Sequence, residues 1–311
     1  MSLELVNLAD VRPEPLESLM AEEGEMWLEK LKWDYTPTHQ FIKNYLAMGL
    51  LPGLVLIDDD TPVGYAYMVF DGKRAVIGNI YVDKENWGNG YEALLAEGLI
   101  GICQNADAID RIEAQILIFS GADIATTFEK AGFSLYGRNY LSLPLRDWES
   151  KKKRPEGYRL AAWKNSMIYE AARVVFESYR GGIDAEFSTS FSKLDKCEEF
   201  VTNLIRRGGC GEFLRKMSTV AIAGDGRMAG IVISTKLSKD CGHHPQISVM
   251  PSHHGKGLGA WLVDESLRRF KKAGFSNVSL TVTEKNEKAD AWYRRVGYAQ
   301  TLGFNAYLWL R

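Results

Sequence analysis

The chain has 311 residues, 46% hydrophobic and 25% charged, with a formal net charge of −2. That describes an ordinary globular protein long enough for two domains. The near-neutral balance leaves no electrostatic footprint for nucleic acid or an anionic membrane, and no apolar run is long enough to span a bilayer or serve as a signal peptide.

Residues 62–68 and 79–83 read as strands, followed by a glycine turn, Asn86-Trp87-Gly88-Asn89-Gly90-Tyr91-Glu92, and by Phe128-Glu129-Lys130-Ala131-Gly132-Phe133. Residues 148–157 are polar and charged and end in Pro155 and Gly157, which marks a linker. Its basic run, Lys151 to Arg154, reads as a solvated stretch. The expected division is therefore 1–148, a linker at 149–157, and 158–311. Residues 179–191 carry Gly181, Gly182, Asp184 and Glu186 and are expected to form an acceptor rim whose acids can hold an ammonium group. Residues 228–234 and 246–250 read as strands. A Pro251-Ser252-His253 turn leads to His254-Gly255-Lys256-Gly257-Leu258-Gly259 and an amphipathic helix over about 260–272. A strand at 279–283 then precedes Asn286, Ala289, Trp292, Tyr293, Gly297 and Tyr298.

The chain repeats itself. Gly64 corresponds to Gly230, Val82 to Val249, and Phe128 to Trp292, at offsets of 166, 167 and 164 residues. Near-constant offsets through three elements imply two copies of one mixed α/β fold, each a central, mostly antiparallel, twisted sheet flanked by helices. Four cysteines, Cys103, Cys197, Cys210 and Cys241, form no C-x-x-C pair, as expected of free thiols in a reduced cytoplasm. Cys241-Gly242-His243-His244 lacks a second ligand pair at usable spacing, so no metal is expected.

A glycine-rich turn between strand and helix exposes backbone N–H groups, has no Cβ to block a phosphate, and adds the positive end of the helix. The turn at 254–259 is therefore suited to a diphosphate. It is not a P-loop, because Gly255-Lys256 is followed by Gly257 rather than Ser or Thr. Its G-x-G-x-G spacing also departs from the dinucleotide fingerprint. The run Ile247-x-Val249-x-Pro251 with Gly257-x-Gly259 resembles motif A of the GNAT superfamily of acetyl-CoA-dependent N-acetyltransferases, with His254 where that family usually has Arg or Gln. The pattern from Asn286 through Ala289 and Tyr293 to Gly297 resembles GNAT motif B, and its residues three and four apart share one helical face.

The resemblance implies an N-acetyltransferase that moves an acetyl group from acetyl-CoA, its cosubstrate, to a primary amine by direct attack. The two-copy layout resembles that of mycothiol synthases, which implies a small amine on a sugar or amino-acid scaffold. It implies that acetyl-CoA is held by Ile247, Val249, His254, Gly255, Lys256, Gly257, Leu258, Gly259, Asn286 and Tyr293. The Ile247 N–H is then the oxyanion donor, the Val249 backbone pairs with the pantetheine arm, and Tyr293 is the acid for the departing thiolate. The base position, six residues before Val249, is His243, whose imidazole titrates near neutrality. On a strand His244 faces the other way, and Pro245 leaves the choice between the two open.

The first copy is worn. Trp87 stands at the His254 position and Glu92 at the Gly259 position, where a carboxylate repels a diphosphate. Ala122 aligns with Asn286 and Glu129 with Tyr293. Activity is therefore expected from the C-terminal half. The alternative is a non-catalytic coenzyme A-binding sensor or interaction protein, which would have no use for an acid at Tyr293. A Fem-type aminoacyltransferase would need a basic balance and a helical insertion that are not seen.

Overall fold

The computed structural model describes residues 3–119 and 122–311, and of Ala122 only the backbone. The Ala122 side chain aligned above with Asn286 therefore lies outside the described residues. The chain divides into two compact units, Met1–Arg138 with Gly303–Arg311, and Asn139–Leu302. Both are mixed α/β units on mostly antiparallel sheets.

Unit 1 runs through β1 (Leu3–Asn7), α1 (Glu17–Leu31), α2 (Thr36–Ala47), β2 (Gly53–Asp58), β3 (Thr61–Asp71), β4 (Arg74–Val82), α3 (Tyr91–Asn105), β5 (Arg111–Ile116), α4 (Ala122–Lys130) and the start of β6 (Ser134–Pro144). Unit 2 continues with β7 (Tyr158–Ala161), α5 (Ile168–Tyr179), α6 (Asp184–Phe187), α7 (Leu194–Arg206), β8 (Glu212–Phe213), β9 (Thr219–Ala223), β10 (Met228–Lys236), β11 (Cys241–Val249), α8 (Leu258–Lys272), β12 (Asn277–Thr283), α9 (Glu287–Val296) and the start of β13 (Ala299–Leu310).

In unit 1 the strand order is β1-β2-β3-β4-β5-β13, and in unit 2 it is β6-β12-β11-β10-β9-β7 with β8 on β10. The β4–β5 and β11–β12 pairs are parallel. A parallel pair needs a long crossover, and α3 and α8 provide it. The crossover helices are amphipathic for that reason. Leu95, Ala96, Leu99, Ile100 and Cys103 form the buried stripe of α3. Leu258, Trp261, Leu262, Leu267 and Phe270 do the same in α8.

The compact units differ from the division read from the linker. The polar stretch has no regular structure and is largely exposed, yet it is anchored on α8: the Lys151 N–H donates to Asp264 Oδ1 at 2.9 Å, and Lys271 Nζ donates to the carbonyl of Trp148 at 2.6 Å. The last strand, Asn305 to Leu310, pairs antiparallel with β5 and so completes unit 1. Strand pairing decides membership of a unit, and it joins residues far apart in sequence.

Candidate functional site

In unit 2, β11 and β12 pair only from Cys241 to His243 against Asn277 to Ser279. Beyond that point no pairing joins them, and a cavity of about 380 Å³ lies beside the unpaired part of β11. Ile247, Ser248 and Val249 of β11 line it, with Asn286, Ala289 and Tyr293 of the α9 region. Ser178, Tyr179, Ile183 and Asp184 close it from α5 and α6. The Met250 N–H bonds the Ala229 carbonyl at 2.9 Å on the β10 side. Because strand N–H groups alternate in direction, those of Ile247 and Val249 face the gap.

The glycine turn follows at once. Gly255 and Gly257 have φ of +75° and +74°, and Gly257 is the N-cap residue of α8. Only glycine adopts this conformation freely, and a Cβ at either position would enter open space rather than protein. The first-turn N–H groups of Leu258 and Gly259 have no carbonyl within the helix to bond, so they point outward. His254 Nε2 lies 2.9 Å from the Val249 carbonyl and donates to it. Lys256 Nζ donates to the Ser252 carbonyl at 3.2 Å. In unit 1 Gly88 and Gly90 keep the same positive φ, and Trp87 Nε1 donates to the Val82 carbonyl at 2.8 Å. Backbone conformation is thus shared by the two turns, and side-chain chemistry is not.

Asn286 is the N-cap of α9, its Oδ1 accepting from the Ala289 N–H at 3.3 Å. Gly297, with φ of +117°, ends the helix. Tyr293 reaches the cavity half-buried. Burial first, then the neighbouring Tyr179 and Asp184, hold its pKa well above the ordinary phenol value, so it stays a hydrogen-bond donor.

The two histidines are placed differently from expectation. Ile233 pairs with Gln246 and Thr235 with His243, so His244 and Pro245 together oppose Ser234. This is a β-bulge, where a proline without an N–H is tolerated. The extra residue puts His244, not His243, on the face of Ile247 and Val249: His244 meets Ser266 of α8 at 2.9 Å and the Tyr298 hydroxyl at 3.0 Å. His243 bonds Ser279 Oγ at 2.9 Å and stacks beside Tyr140. Both are buried, neither lines the cavity, and burial pushes each pKa down to about 3. The free-imidazole pKa assumed for His243 does not survive this placement.

The structure separates the two acids of the expected rim. Asp184 faces the cavity, its Oδ1 accepting from Thr283 Oγ1 at 2.5 Å, whereas Glu186 is exposed and not part of the lining. Tyr179 stacks on Phe191 at 4.2 Å. Ser248 was not singled out from sequence, because strand alternation turns it away from Ile247 and Val249. The cleft is wrapped on that side by α5. Ser178 Oγ lies 2.9 Å from the Val175 carbonyl and 2.8 Å from Ser248 Oγ. A carbonyl only accepts, so one arrangement satisfies both contacts: Ser178 donates to Val175 and Ser248 donates to Ser178. Gln246 Nε2 donates to Ser248 at 2.6 Å. Ser248 then offers the cavity a lone pair and no proton.

The copies can also be compared at the motif B helix. The Phe133 N–H bonds the Phe128 carbonyl at 3.0 Å, and the Tyr298 N–H bonds the Tyr293 carbonyl at 3.1 Å. Both helices stop on a positive-φ glycine, Gly132 and Gly297. The counterpart of Tyr293 is therefore Phe128, one residue from the expected Glu129. Phe128 is fully buried and stacked on Tyr307 at 4.0 Å. Neither residue can donate a phenolic proton.

The sequence matches the family described as acetyltransferase (GNAT) twice, over residues 13–133 and 186–298. No curated protein matches it. Among solved structures it is similar to a GCN5-related N-acetyltransferase from Sphaerobacter thermophilus, at TM-score 0.70 and 15% identity, over 99% of this chain and 95% of that one. It is also similar to a tandem GNAT protein from the clavulanic acid biosynthesis pathway, at TM-score 0.64 and 14% identity, over 99% of this chain and 98% of the other. At such identities the likeness is one of fold.

Proposed function

Because the chain belongs to the acetyltransferase (GNAT) family, we propose that its C-terminal unit transfers an acetyl group from acetyl-CoA to a primary amine of a small molecule by direct attack. The observation that carries this reading is the cavity beside β11 where its pairing with β12 has ended, lined by Ile247, Val249, Asn286 and Tyr293, with β11 running on at Val249 toward the glycine turn. The diphosphate of acetyl-CoA would rest on the N–H groups of Gly255, Lys256, Gly257, Leu258 and Gly259. The Val249 N–H pairs with the pantetheine arm as an added strand does. Asn286 keeps its amide nitrogen for the same arm while its oxygen caps the helix. The Ile247 N–H stabilises the thioester oxygen as charge develops.

The amine lone pair attacks the thioester carbon, the C–S bond breaks, and Tyr293 gives its proton to the thiolate. The proton still carried by the acylated nitrogen passes, directly or through water, to the Tyr293 phenolate, which leaves a neutral amide and restores the phenol. The ammonium form of the acceptor docks at Asp184 and loses its proton there, directly or through water. This base assignment replaces His243, which is neutral, buried and outside the cavity lining. No helix among the described residues is long and apolar enough to cross a membrane. A cytoplasmic setting suits the four free cysteines.

The test is to identify ligand released from the purified protein and to screen simple amines with acetyl-CoA by thiol release. Tyr293→Phe keeps ring and packing, so acetyl-CoA affinity should hold while turnover falls by about 10²-fold, the lower end for general acid catalysis. Unchanged turnover under chemistry-limited conditions would return the protein to the coenzyme A-binding class. Asp184→Asn should lower turnover by about 10²-fold, as loss of the base, raise the amine KM about tenfold, the order of a charge-assisted hydrogen bond, and leave the acetyl-CoA KM in place. Equal effects on both constants would remove Asp184 from the acceptor site.

A further inference from the structure

Unit 1 carries its own cavity, of about 320 Å³, beside the turn that keeps the Gly88 and Gly90 conformation. Its chemistry differs from that of a diphosphate cradle. Trp87 and Phe119 form aromatic walls, edge to face at 5.4 Å and 88°. Ile118 and Ile124, both buried, add apolar surface. Two carboxylates, Glu92 and Asp123, line the same space against a single cation, Lys30. The Trp87 ring is fixed by its bond to the Val82 carbonyl, so one face is presented in a constant orientation. That face already holds a cation of the chain's own, with Lys30 Nζ 5.4 Å from the ring centroid. The ammonium of Lys30, on an exposed side chain at the end of α1, stands in for the charged head of a ligand.

We propose that the N-terminal unit binds an organic cation, an ammonium group carried on an aromatic or alkyl body, in the cavity walled by Trp87 and Phe119. The cation lies over the Trp87 face and displaces Lys30. Glu92 and Asp123 supply the attraction that excludes an anion, and the body of the ligand covers Phe119 and the two isoleucines. Tryptophan is the best aromatic partner for a cation, and quaternary ammonium groups are the species such sites select. This assignment does not depend on acetyl transfer in unit 2.

The test uses the full chain and benzyltrimethylammonium, which has no N–H and cannot be acetylated, with phenylacetate as its anionic counterpart. Calorimetric titration should show one site for the cation and none for the anion. Glu92→Gln with Asp123→Asn should weaken the cation about tenfold, as should Trp87→Leu. Trp87→Phe, which keeps a ring, should weaken it less, and Lys30→Met should strengthen it by freeing the ring face. Asp184→Asn should change nothing, because it lies in the other unit's cavity. Far-UV melting of each variant separates lost binding from lost fold. Binding of phenylacetate as strongly as the cation, no cation binding up to about 10 mM, beyond the range of a specific site, or loss of the cation with Asp184→Asn would each overturn the assignment.

Discussion

Gly257→Glu should abolish acetyl-CoA binding, while Gly90→Glu leaves it intact. Both positions are N-cap glycines with positive φ, +74° and +82°, so backbone strain is similar in the two variants. A Cβ meets nothing within 4 Å at either site, so neither substitution clashes with protein. What differs is the ligand. At Gly257 a carboxylate would stand at the mouth of the N–H groups proposed to hold the diphosphate, and like charges at contact distance repel strongly. At Gly90 the neighbourhood already contains Glu92. Calorimetry with the full chain should show one acetyl-CoA site, lost only in the first variant. Two equal sites, or loss with the Gly90 change alone, would contradict the assignment of activity to the C-terminal unit.

Acid should destabilise unit 2 well before its carboxylates are protonated. His243 and His244 are buried, and burial takes each pKa to about 3 from an ordinary 6.5. Between those values the unfolded chain binds more protons than the folded one. The stability contributed by the neutral pair is therefore complete above about pH 6.5 and is lost as pH falls toward 3, at about 1.4 kcal/mol per pH unit for each imidazole. His243 faces Ser279 and Tyr140, and His244 faces Ser266, Phe270 and Tyr298, with no carboxylate among these contacts to favour protonation. Imidazole NMR signals of both should not titrate between pH 5 and 8, about the free-imidazole range. The melting temperature of a His243→Asn, His244→Asn variant, measured from pH 7 to about 4.5, should fall less steeply than that of the native chain. An imidazole resonance that titrates near 6.5 would show that one of them is solvated and available as a base. The same placement predicts that any acidic limb in the rate profile survives His243→Asn.

The fold and much of the candidate site were legible in the sequence, because both depend on local backbone rules. Glycines at Gly255 and Gly257 specify a left-handed turn wherever the chain goes next, and Asn286 and Gly297 bound a helix by capping alone. The repeat was visible for the same reason. Each copy needs the same strand, turn and helix signals in the same order, and the two family matches fall one in each unit.

Other features depended on contacts between residues far apart in the chain. The polar linker suggested a cut near residue 148, but pairing of Asn305 to Leu310 with β5 returned the end of the chain to the first unit. Counting back from Val249 marked His243 as a base, but one extra residue at Pro245 exchanged the faces of the two histidines. A bulge reverses the side-chain alternation upstream of it, and nothing in the local sequence states whether the partner strand will accommodate one. Ser248 became part of the cavity because α5 covers its side of β11 and Ser178 orients its hydroxyl. The sequence by itself therefore determined the backbone of the glycine turn and the helix that carries Tyr293. Tertiary packing decided which side chains are buried, which hydrogen bonds they make, and which carboxylate lines the cavity, because these depend on burial and on partners that only the folded chain brings together.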